Sequence, residues 1–311
     1  MNTHRVAGRE VAGYIVMTTV WGSSFFFTAF ALRSFGPLTI VLLRLALAAV
    51  VLGLIVALSR PALPRTRAEW LHLAWLGCFN ITLPNALLTA AQQHVTSSLS
   101  IVLASTTPLF VFALAVIAGT ERFNAHRLAG ILLSLSGIVA LTARGGEAGT
   151  DSWLWPLMVV ASSAIYAAGN VYTRRYLASL PPLSTAWLQI TFGALWAVPA
   201  VVLLDGWQVG EVTPVAVLAL VELGVVSSAV CYILFFWFIR AWGSTATSMN
   251  TYLQPIVGVL LGVLVLHERP TEGAGLALLL VALGIGCFGW DAWRRLRSRQ
   301  PHPDPEPPSV G

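Results

Sequence analysis

Two charged residues, Arg44 and Glu222, stand inside apolar stretches where charge is costly, and such groups can hold an anion, pair together or carry a proton. Around them the chain sets polar and aromatic side chains at helical spacing. Trp21, Ser24, Phe25 and Thr28 share one face, as do Tyr166, Gly169, Asn170 and Thr173. An indole opposite a phenol would stack a flat apolar body, leaving Ser24 and Asn170 to hydrogen-bond its polar groups. Thr247, Asn250, Thr251 and Gln254 form the clearest polar stripe and lead into Pro255, whose missing amide frees the carbonyl one turn earlier. Ser100, Leu103, Ala104 and Thr107 lead into Pro108 in the same way. Asn85 and Tyr232 are further candidate liners, with Ser228 one turn before Tyr232 and Pro84 marking another helix break. Each pattern also has a plainer reading as aromatic packing, structural kinks or hydrogen bonds between helices. His94 offers a titratable imidazole, but at the end of an apolar run, where a solvated cap is the simpler role.

These residues must be positioned by membrane helices. With 57% hydrophobic and 10% charged residues over 311 positions, and a mean hydropathy of +0.77, the chain is excluded from the ordinary soluble class. Ten apolar runs occupy roughly 11–32, 36–58, 70–92, 97–118, 126–143, 153–173, 184–204, 214–240, 246–266 and 273–290, each near the length an α-helix needs to cross hydrocarbon. The first is longer than the apolar core of a signal peptide and lacks a convincing cleavage site, so it is expected to be retained. Residues 1–10 form a short N-terminal segment, and 294–311, rich in proline, read as a disordered tail.

All 18 basic residues are arginine. If the N-terminus is cytoplasmic, the cytoplasmic side receives all of them except Arg33, Arg144, Arg269 and the intramembrane Arg44, so the positive-inside bias places both termini in the cytoplasm. The pI near 9.6 therefore reports topology and does not point to nucleic acid. Cys78, Cys231 and Cys287 lie within spans without metal-binding spacing. No GxxxxGK[ST], HExxH or Ser, His and acid constellation is visible, so neither ATP hydrolysis, nor a metal or other cofactor, nor enzyme chemistry is expected.

The chain also repeats. A shift of 147 residues aligns Ser97 with Ser244, Ser100 with Thr247, Pro108 with Pro255, Glu121-Arg122 with Glu268-Arg269 and Gly137 with Gly284. A shift of 145 aligns Trp21 with Tyr166, Thr28 with Thr173, Pro37 with Pro182 and Arg44 with Gln189. The expected fold is an all-α membrane protein of ten transmembrane helices in two five-helix repeats, 11–143 and 153–290. Five is odd, so the second repeat must enter the membrane inverted, which is the architecture of alternating access. On this reading Glu121 and Glu268 lie on opposite sides, as structural ion-pairing groups or alternating gates.

The order Trp21-Gly22-Ser23-Ser24-Phe25, Pro37, Arg44, Pro108, Glu121-Arg122 and Gly130, with Pro255 and Glu268-Arg269 in the second half, resembles the EamA family of the drug/metabolite transporter superfamily over residues 11–290. The resemblance implies a central cavity lined by spans 1, 3, 4, 6, 8 and 9, with 5 and 10 at the periphery. It also implies export of metabolites, commonly amino acids, aromatic ones included, and makes Arg44 look structural. Gln189 and Tyr166 depart from the family pattern and leave the two half-sites chemically unequal. The expectation is a secondary-active exporter of a small amphipathic metabolite, working as a monomer. Arginine-only, alanine-rich usage suggests a bacterial cytoplasmic (inner) membrane. Two alternatives stay open: a nucleotide-sugar or sugar-phosphate exchanger, which should need several cavity cations, and a non-transporting membrane sensor or scaffold.

Overall fold

A computed structural model describes residues 8–126, 128–130, 132–133, 136, 153–265, 279–280 and 283. The fifth and tenth predicted spans fall largely outside these residues, as do Glu268, Arg269, Gly284, Cys287 and the proline-rich tail. Among the described residues, seven helical runs are long and apolar enough to cross a membrane: α1 (Gly8–Ala31), α2 (Pro37–Ser59), α3 (Arg67–Ala91), the run Leu99–Ile117, α6 (Leu154–Tyr176), α7 (Pro182–Leu204) and α8 (Pro214–Trp242). The run in the fourth span is two helices, α4 (Ser97–Ala104) and α5 (Thr107–Ile117). The ninth is also divided, into α9 (Ser244–Ser248) and α10 (Asn250–Leu264).

Local chemistry sets these boundaries. Pro37, Pro182 and Pro214 open α2, α7 and α8, where an amide would have no partner and the fixed φ already suits a helix. α3 starts with a reciprocal capping box: the Thr66 hydroxyl accepts from the Glu69 amide at 3.2 Å and the Glu69 carboxylate accepts from the Thr66 amide at 3.0 Å. The break at Ser105–Thr106 comes directly before Pro108, as its missing amide predicts. In the ninth span the break falls at Met249, more than a turn ahead of Pro255, which lies inside α10.

The elements stack so that each helix crosses both parts of the chain. α2 packs along α7, α1 along α10, and α5 along α6. α3 and α8 each contain a π-helical stretch, Gly77–Thr82 and Glu222–Val230. α7 packs on the first and α2 on the second. Glycine permits both contacts: a Cβ on Gly77 would lie 2.5 Å from Cβ of Phe192, and one on Gly224 would lie 2.8 Å from the Leu47 side chain. The buried apolar core runs through Trp21, Leu45, Ile81, Ile190 and Phe235. Leu54, Leu58, Leu203 and Leu218 point outward and are exposed, the arrangement expected when the surrounding solvent is lipid.

The face at which α1 begins is called proximal here and the opposite face distal. On the distal face the α1–α2 and α7–α8 loops pair: the Gly36 amide donates to the Gln208 carbonyl at 2.8 Å and the Gly210 amide to the Ser34 carbonyl at 2.8 Å, around a bridge between Phe35 and Val209.

Candidate functional site: a central cavity

A cavity with about 760 Å³ of empty space, its open mouth included, lies among the helices. Its lining extends from mid-bundle toward the distal face, reaching Thr28 on α1 and Gln92 at the end of α3. α1 contributes Trp21, Ser24 and Phe25, while α3 contributes Pro84, Asn85 and Leu88. Thr107 enters from α5, Tyr166 from α6, Tyr232 from α8 and Gln254 from α10.

Seven of the ten predicted binding residues therefore meet in one space: Trp21, Ser24, Asn85, Thr107, Tyr166, Tyr232 and Gln254. The other three lie behind it. Ser228 is buried and holds Arg44, whereas Asn170 and Asn250 are buried with neither side-chain amide atom hydrogen-bonded. Ser162, Ser163 and Thr89 also line the cavity and escaped the sequence reading. For Ser162 and Ser163 a signal existed, since they precede Tyr166 by the four and three residues that place side chains on one helical face.

The aromatic surface is locked before any ligand arrives. The Trp21 indole donates to the Ser227 carbonyl at 2.8 Å, its ring meets Tyr232 edge-on at 5.5 Å, and it lies 4.9 Å from Phe235, which stacks on Tyr166 at 5.8 Å. The Tyr166 and Tyr232 hydroxyls face one another, with Asn85 beside Tyr232.

Prolines supply the backbone component. Thr251 is the residue whose carbonyl Pro255 leaves unbonded, and the Ser105 hydroxyl, at the break between α4 and α5, lies 3.0 Å from that oxygen. Pro108 frees the Ala104 carbonyl, which accepts from Thr107 at 2.7 Å. Pro84 presents its own carbonyl to Ser162 at 2.8 Å. Hydroxyl back-bonding and bonding between helices both occur at these breaks.

The two intramembrane charges do not pair. Nε and Nη2 of Arg44 donate to the Ser228 hydroxyl at 3.2 and 3.1 Å, and that hydroxyl donates to the Leu223 carbonyl at 2.7 Å. Glu222 accepts from the Ser227 hydroxyl at 2.7 Å, while its other oxygen is buried without a hydrogen bond. Both serines reach back five residues, the spacing of the π-helix they occupy. α2 touches this part of α8, and Glu222 does not line the cavity. Gln189, aligned with Arg44 in the repeat, accepts from the Asn80 amide at 3.0 Å on the π-helical stretch of α3. His94 lies outside the cavity, exposed and stacked on Trp155 at 3.8 Å.

The proximal end is sealed. Arg174 donates to the Ile239 and Arg240 carbonyls at 2.6 and 2.8 Å, and Arg175 to the Ala118 carbonyl at 3.0 Å, so two cations hold the carbonyl-rich ends of α8 and α5. Tyr14 donates to the Ala246 carbonyl at 3.2 Å and packs on Phe238 and Trp242.

A polytopic helical bundle with a blind, aromatic and hydroxyl-lined cavity at its centre defines a membrane transport protein in class. Residues 10–143 and 153–290 match the EamA-like transporter family, and the chain belongs to it. Among relatives, an uncharacterized transporter of Archaeoglobus fulgidus is 22% identical, the alignment covering 86% of this chain and 92% of that one. A probable terminal-alkyne amino-acid exporter of Streptantibioticus cattleyicolor is 25% identical over 87% and 89% of the two chains. The uncharacterized inner membrane transporter YedA of Escherichia coli K12 is 24% identical over 86% of each. A crystal structure sharing 19% identity superposes with a TM-score of 0.72, covering 92% of this chain and 98% of the other.

Proposed function

We propose that this transporter exports small amphipathic metabolites, amino acids in particular, by alternating access across a bacterial cytoplasmic membrane, as a monomer of ten helices in two inverted repeats with both termini cytoplasmic. The observation that carries the reading is the cavity itself, built from both halves of the chain, reaching the distal side and sealed on the proximal side. On the proposed topology this is an outward-open state, with the arginine-rich proximal face in the cytoplasm.

Paired contacts support the inversion. Gly77 against Phe192 and Gly224 against Leu47 are one contact seen twice, because Gly77 and Gly224 are 147 residues apart and Leu47 and Phe192 are 145 apart. Arg44 on Ser228 and Gln189 on Asn80 join the same pairs of elements. The aromatic surface and the amino-acid exporter among the relatives support the substrate class. Trp21, Ser24, Asn85, Thr107, Tyr166, Tyr232 and Gln254 are assigned to substrate contact. Asn170 and Asn250, buried behind the cavity, are assigned to the path uncovered when the proximal side opens.

A phosphorylated cargo would need more positive charge than the single cavity arginine supplies. The test is counterflow. Proteoliposomes loaded with one unlabelled amino acid should accumulate the labelled form, and saturable binding without flux for every member of a broad panel would identify a sensor instead.

A further inference from the structure

We infer that Arg44 is the docking group for the carboxylate of the cargo, and that the lining hydroxyls are arranged to receive its ammonium, so that the site selects a free α-amino acid over its amide or its deaminated acid. The inference rests on the transport reading above and assigns chemistry to its site.

Arg44 is 7% exposed, and what remains open lines the cavity, where it is the only charged residue among those described. A guanidinium offers five N–H donors in a flat fork. Two of its nitrogens donate to one oxygen, Ser228 Oγ, a neutral hydroxyl whose own proton goes to the Leu223 carbonyl. No carboxylate touches it. A desolvated cation held by one hydroxyl is under-compensated, and a carboxylate entering the cavity supplies the missing charge with matching bidentate geometry. Glu222 does not occupy that place, since its carboxylate accepts from the Ser227 hydroxyl.

Six hydroxyls of the lining have the opposite polarity. Ser24 donates to the Trp21 carbonyl, Thr28 to Ser24, Thr107 to Ala104, Ser162 to Pro84, Ser163 to Val159 and Thr251 to Ser248. A carbonyl oxygen can only accept, so each of these hydroxyl protons is committed and each oxygen offers lone pairs alone. Asn85 and Gln92 each commit one side-chain N–H, to the Ile81 and Phe25 carbonyls, and their amide oxygens add further acceptors. One cation on α2 thus stands among acceptors on α1, α3, α5, α6 and α10. That polarity complements a zwitterion whose apolar body stacks on Trp21 and Tyr232.

The test uses the full-length protein purified in detergent, with a panel of L-amino acids each measured beside its amide and its deaminated acid. Binding is read by calorimetry and flux by counterflow. For the wild type, removing either charged group should weaken binding at least about tenfold. Arg44→Gln should abolish the preference of acid over amide while leaving the preference for the amine, and Arg44→Lys should retain part of the former. Equal affinity for acids and amides in the wild type, or a preference surviving in Arg44→Gln, would overturn the inference, as would an absence of binding by every acid. Acid-selective binding without counterflow would leave the inference standing and defeat the transport reading.

Discussion

Trp21 carries two functions that a single substitution can separate. Its ring forms part of the aromatic wall and its N–H anchors α1 to the π-helical stretch of α8 through the Ser227 carbonyl. Trp21→Phe keeps an aromatic face and removes the donor, a hydrogen bond worth about 1 kcal/mol. On the proposed function, amino-acid binding should weaken about fivefold, measurable by calorimetry, whereas Trp21→Ala should remove measurable binding. An unchanged affinity in Trp21→Phe would mean the indole N–H does not set the ring's position. The neighbouring residues show how far side-chain roles can be read in advance. Trp21, Tyr166, Asn85 and Gln254 were recognisable because helical phase alone decides which face a side chain takes. The separate partners of Arg44 and Glu222 were not, since a π-helical turn shifts the phase after it begins and nothing in the residue types of 222–230 announces that turn.

Among elements, the broken and π-helical segments are where the bundle can change shape. Pro255→Ala restores an amide that can reach the Thr251 carbonyl and compete with the Ser105 hydroxyl of the facing helix break. Stiffening of α10 should slow counterflow about fivefold, a single hydrogen bond's worth, with substrate affinity unchanged. A proportional loss of affinity would place Pro255 in the binding site and not in the moving part. The mirrored glycines make a second prediction, on stability. Alanine at Gly77 would press within 2.8 Å of the Gly193 backbone amide, whereas alanine at Gly224 meets Cδ2, Cβ and Cγ of Leu47 at 2.8 to 3.0 Å, side chain and not backbone. Each change should cost about 1 to 3 kcal/mol, Gly77→Ala the more, compared through their unfolding midpoints in detergent. Span positions were legible from apolar length, which set the second and seventh at 36 and 184 where the helices start at Pro37 and Pro182. The break at Met249 was not, because Pro255 drew attention to a position where the helix continues.

For the molecule as a whole, access is decided by which face is tied. The Arg174 and Arg175 contacts are charged hydrogen bonds worth about 1.5 to 3 kcal/mol each, enough to shift an equilibrium between two open states if lost together. In the double variant Arg174→Ala, Arg175→Ala, hydrogen exchange should accelerate across 239–246, and a bulky inhibitor confined to the distal side should bind more weakly. Unchanged exchange there would show that Tyr14 and its aromatic partners seal the proximal face alone. The distal pairing of 34–36 with 208–210 bears on the same motion from the other end. It fastens the two portions of the chain at that face like the spine of a book, around which the covers would have to turn. An antibody fragment raised against that spine would recognise the transporter throughout its cycle, and so purify it without choosing a conformation.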